Sequence, residues 1–177
     1  MKMKREMAAA ALFAAIAAGF NTATAQQKSA PKAGKAMSED AKRGRYLVQT
    51  AGCNDCHTPG YGPNESKVEE ALWLTGDMLG FRGAWGTTYP ANLRLVAQNL
   101  TEEQWVIRAA SPGLKPPMPW FNVRDMTNRD VRAIYRYLKF MGPAGQPAPA
   151  YLPPDKTPSG PVIQFPAPPP KPAAKSK

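Results

Sequence analysis

The 177-residue chain has two cysteines and one histidine, and all three lie in one short run. Cys53, Cys56 and His57 form a C-x-x-C-H pattern inside the segment Ala51 to Thr58. This spacing is the attachment signature of a c-type haem. Thiols three positions apart can each add to one of the two vinyl groups on a porphyrin edge. The adjacent imidazole then falls under the ring, where it can bind iron. A thioredoxin-like dithiol is a rival use of C-x-x-C, but it needs a βαβ context, and no strand pattern precedes Cys53. Zinc would need two more ligands, and with no further Cys or His present carboxylates would have to substitute. The counts also exclude a disulfide framework, a Cys-rich zinc module and a three-His metal site. The pattern predicts one covalent haem c, with Cys53 and Cys56 as thioether residues and His57 as an axial ligand.

An electron carrier usually closes its iron with a sixth ligand from the protein. With His57 used, methionine is the expected partner, and Met/His ligation raises the reduction potential. Met118 is the first candidate. It lies in Gly113 to Phe121, between Pro117 and Pro119, where proline stiffens the backbone and excludes helix. A stiff loop can hold a thioether over iron at little entropic cost. Met126 precedes Thr127, an expected N-cap, and with Val131 it makes a hydrophobic staple. Met141 falls at a helix end and Met78 in a Gly-rich stretch. These three are the alternatives to Met118.

Stepping outward, both ends read as material outside the folded domain. Residues 1–25 read as a secretory signal. Lys2, Lys4 and Arg5 are basic, Met7 to Phe20 is apolar, and Ala23-Thr24-Ala25 is a small-residue cleavage pattern. The apolar run is shorter than the roughly 20 residues of a bilayer span, so an uncleaved anchor is the lesser alternative. The expected location is therefore the periplasm, with no membrane span after cleavage. Residues 26–37 read as a flexible arm. Residues 143–177 hold 12 of the 20 prolines and are expected to be an extended, exposed, disordered tail.

Residues 38–142 remain as the domain. They carry 13 Lys+Arg against 11 Asp+Glu, so the whole-chain net charge of +10 resides mostly in the ends. That near balance, with an export signal, argues against a nucleic-acid partner. Ser38 is the expected N-cap of a first helix reaching Ala51. Thr101-Glu102-Glu103-Gln104 is a capping box opening a second, which Ser111-Pro112-Gly113 stops. Thr127 caps a third that Gly142 and Pro143 end. Val131, Ile134, Tyr135, Leu138 and Met141 give that helix a continuous apolar stripe. Between Pro59 and Asn99 mostly loop is expected, and no repeats are visible. Arg129, Arg132, Arg136 and Lys139 share a face of the third helix and could steer an acidic partner.

Four pieces in order resemble the class I c-type cytochromes. They are a first helix with Gly44, Tyr46 and Leu47; Cys53 to His57; Pro117-Met118-Pro119; and a last helix with Ile134 to Leu138. The segments Trp85 to Leu93 and Met118 to Asn122 are similar to cytochrome domains found with periplasmic dehydrogenases. The resemblance covers residues 38–142. It implies an all-α fold of about three to four helices around one covalent haem, with flexible tails. It also implies that the first and last helices cross, Gly44 facing Tyr135 or Tyr137. The function expected is one-electron transfer with redox proteins (a periplasmic dehydrogenase, an oxidase or another cytochrome), not enzyme catalysis. A docked subunit of a larger complex is one alternative. A haem enzyme or gas sensor with an open sixth position is another. Trp120 or Tyr89 could hydrogen-bond a haem propionate.

Overall fold

The computed structural model describes residues 36–166. The expectations for residues 1–25 lie outside this range, as do those for most of the 26–37 arm and for residues 167–177. The described elements are α1 (Glu39–Thr50), α2 (Cys53–His57), β1 (Gly80–Gly83), β2 (Gly86–Thr88), α3 (Leu93–Gln98), α4 (Glu102–Ala110), α5 (Trp120–Arg124), α6 (Asn128–Met141) and β3 (Val162–Gln164). A 3-10 turn at Glu70–Leu72 lies between α2 and β1. Among the described residues no helix is long and apolar enough to cross a membrane.

The longer helices start where short polar side chains can satisfy free N–H groups. Ser38 Oγ accepts from Ala41 N at 3.2 Å, and Thr127 Oγ1 accepts from Asp130 N at 3.2 Å. At α4 the capping box is complete: Gln104 N donates to Thr101 Oγ1, and Thr101 N donates to the Gln104 side chain. The predicted stripe on α6 is buried throughout, and Tyr137 and Ala133 extend it. It packs on Ala41 and Val48 of α1 and on Trp73, Leu74 and Ala97 to form the core.

The α1–α6 crossing centres on Gly44. A Cβ there would lie 2.0 Å from Ala133 O and 2.8 Å from Tyr137 Cβ. Only a residue without a side chain allows this approach. Gly44→Ala should force the two helices apart and cost about 3 kcal/mol, the upper range for overpacking. Urea unfolding should show a lower midpoint at an unchanged slope. A midpoint equal to wild type would mean that the helices do not meet there.

Ion pairs knit the same helices together. Arg45 forks onto Glu70, whose other neighbour is the buried Tyr137 hydroxyl at 2.8 Å. Arg132 pairs with Glu102 and Glu103, and Arg136 with Glu102 and Asp40. Lys139 lies over the Tyr135 ring. The basic face expected to steer a partner thus has both middle arginines bound to the protein's own carboxylates. Its bearing is on helix packing first.

Two expectations need correction. The fold is not wholly helical, because a three-stranded sheet of order β2-β1-β3 stands beside the helices. β1 and β2 form an antiparallel hairpin across Ala84-Trp85, in a stretch read as loop because it shows little alternation. The proline-rich segment is also not a free tail over its described part. Residues 143–166 run along the domain as a strap, and β3 pairs parallel with β1. Proline removes a donor but leaves its carbonyl. Pro161 O accepts from Gly80 N and Pro154 O from Arg82, while the non-proline Leu152 exchanges both backbone bonds with Thr87. β3 lies at a sheet edge, where flanking prolines are tolerated.

Candidate functional site

Gly52 opens α2 in the left-handed region, at φ +72°, which suits a residue without a Cβ. The helical turn that follows puts Cys53 and Cys56 at i and i+3, on one side. Asn54, the first spacer, is fully buried and accepts a hydrogen bond from Thr58 Oγ1 at 2.8 Å. Thr58 Oγ1 in turn accepts from Leu74 N at 2.8 Å. The motif is therefore clamped from below to the chain that follows it.

His57 Nδ1 lies 2.8 Å from Ala91 O. A carbonyl only accepts, so Nδ1 carries the proton and Nε2 keeps its lone pair. Burial pulls the His57 pKa below its ordinary value, and the Ala91 bond opposes that only in part. The imidazole is thus held neutral, with one nitrogen oriented and the other available as a ligand. Burial, with the charge of Asp55, pushes the Cys53 thiol up to about 11, and burial also raises Cys56. The two cysteines are not joined in a disulfide.

Cys53, Cys56, His57 and Met118 all line one cavity of about 350 Å³. Its size is that of a small-molecule or cofactor pocket. Leu93, Val96, Val123 and Ile134 contribute apolar wall. Among the described residues, the charged side chains lining it are Arg108 and Lys115, both cationic. Of the alternative methionines, Met126 also lines the cavity. Met141, the last residue of α6, is buried in the core, and Met78 is exposed. Tyr89 lines the cavity, whereas Trp120 packs against Phe121 and Arg124 and is not part of the wall. Among the described residues no three His, Cys, Asp or Glu side chains gather as a metal site.

Sequence reasoning missed Ala91, whose contribution is a backbone oxygen and so has no side-chain signal. It also missed Thr88, Pro149 and Tyr151, which line the cavity from the sheet and the strap. The donor set and apolar wall fit a covalent haem: two thiols, an imidazole with a free Nε2, and a thioether from a distant loop. No family model, no curated protein and no solved structure matches the chain.

Proposed function

We propose that the chain is a one-electron carrier with a single c-type haem, in a domain of the class I cytochrome kind. The observation that carries this is the meeting of Cys53, Cys56, His57 and Met118 in one apolar cavity. Cys53 and Cys56 would hold the group by thioether bonds, with His57 and Met118 as its iron ligands. When bound, haem supplies a ferric/ferrous couple, and no substrate bond is made or broken. The Ala91 carbonyl fixes the His57 tautomer and ring direction. The Asn54–Thr58–Leu74 chain keeps α2 in place beneath. The apolar wall excludes water, which limits the reorganisation that accompanies a change of charge. Redox proteins are the partners on this reading, and the basic, apolar start of residues 1–25 supports a periplasmic location.

The test is attachment. Protein exported in a haem-attaching bacterium is unfolded in detergent and its haem followed on the gel. Wild type should keep its haem, and Cys53→Ser with Cys56→Ser together should lose all of it. Each single variant should keep one thioether and show a shifted reduced absorption band. Wild-type chain that emerges without covalent haem sinks the reading.

A further inference from the structure

The strap is held at several points along its length. Asn92 Nδ2 donates to Ala144 O at 2.7 Å and to Gln146 O at 3.1 Å. Leu152 and Thr87 exchange backbone bonds at 2.7 and 2.9 Å. Arg82 donates to Lys156 O at 2.7 Å, and the Phe165 ring packs on Trp85 and Phe81. Between these anchors Pro149 and Tyr151 form part of the cavity wall.

The loop carrying Met118 has a different character. Pro112, Pro116, Pro117 and Pro119 have no N–H, so the loop can make few backbone bonds of its own. Two contacts tie it across to the sheet and strap. Thr88 Oγ1 donates to Pro116 O at 2.6 Å, and Lys115 Nζ lies 4.1 Å from the centre of the Tyr151 ring. Both lead to the same place, because Thr88 follows Thr87, the partner of Leu152, and Tyr151 precedes Leu152. The Tyr151 hydroxyl is itself fixed on Trp85 O at 2.7 Å.

We propose that strap residues Tyr151 and Leu152, acting through Lys115 and through Thr87-Thr88 on Pro116, position the Met118 loop. The strap thereby sets whether Met118 closes the sixth iron position or leaves it open. This rests on the haem reading above, and its residues are positioning residues, since they act through Met118.

The experiment uses the full-length holoprotein. The oxidised form is scanned for the weak near-infrared band of sulfur–iron ligation, and the reduced form is mixed with CO. Thr88→Val combined with Tyr151→Leu should weaken or abolish the band and raise the CO association rate about tenfold, as expected for loss of one hydrogen bond and one cation–π contact. Thr88→Ser keeps the donor and should keep the band. Far-UV circular dichroism and the thermal midpoint of the double variant, near those of wild type, separate positioning from general damage. A double variant with an undiminished band and wild-type CO kinetics overturns the strap proposal while the ligation reading stands. A wild type without the band overturns both.

Discussion

On the haem reading proposed above, Met118→Ala should abolish the near-infrared sulfur–iron band and open the reduced protein to CO. It should also lower the reduction potential by the order of 0.2 V, within the roughly 0.8 V that axial ligation spans. The thioether stabilises ferrous over ferric iron, so its loss favours the oxidised form. The fold should tolerate the change, because Met118 is half-buried in a loop and lies outside the packed core. Met126 supplies the decisive control, as it lines the same cavity. Met126→Leu should keep band and potential. The reverse outcome, with the band kept in Met118→Ala and lost in Met126→Leu, would move the ligand to the loop before α6.

Arg94→Met should destabilise the domain by about 3–5 kcal/mol, because each of three buried acceptors left unsatisfied costs about 1–3 kcal/mol. Arg94 is fully buried. Its guanidinium donates to three carbonyls: Gly142 O at 2.6 Å, Met141 O at 2.6 Å and Ala71 O at 2.7 Å. Two of these belong to the end of α6, where free carbonyls and the negative end of the helix dipole gather. Burial lowers the Arg94 pKa, but a guanidinium stays charged in proteins, so the charge is held by carbonyl oxygens. Methionine keeps the unbranched apolar stem and leaves all three acceptors without their donor. Arg94→Lys can serve one or two of them and should lose about half as much. Chemical unfolding of the three proteins checks the order. A loss under about 1 kcal/mol for Arg94→Met would mean that water replaces the guanidinium there.

What could be read in the sequence follows a physical division. Ser38, Thr101 and Thr127 mark helix starts because capping is satisfied within three or four residues. The α6 stripe and the Cys53–His57 spacing are likewise local. Gly44 was legible through the resemblance, and the close approach to Ala133 gives its cause. The strap was not legible, since its bonds join residues far apart and involve carbonyls, which every residue has. Gly86 shows why: a Cβ there would lie 2.2 Å from Leu152 O, a need set by a partner much later in the chain. Arg94 was missed for the same reason. The expected basic face failed to anticipate Glu102 and Asp40, which reach it from other helices.

The cavity wall draws on residues from Ala51 to Tyr151, about three quarters of the described length. Contacts between such distant positions carry the largest loop-closure entropy and tend to form late. The helix pair α1–α6 can meet before the strap docks, since the atoms that crowd its crossing at Gly44 belong to Ala133 and Tyr137 of α6 itself. Order of assembly is thus written into the topology. On that order the α1–α6 scaffold would form first, and the wall supplied by Pro149 and Tyr151 would close over Cys53 and Cys56 last. A haem joined to Cys53 and Cys56, as proposed above, would have its widest entrance in that interval.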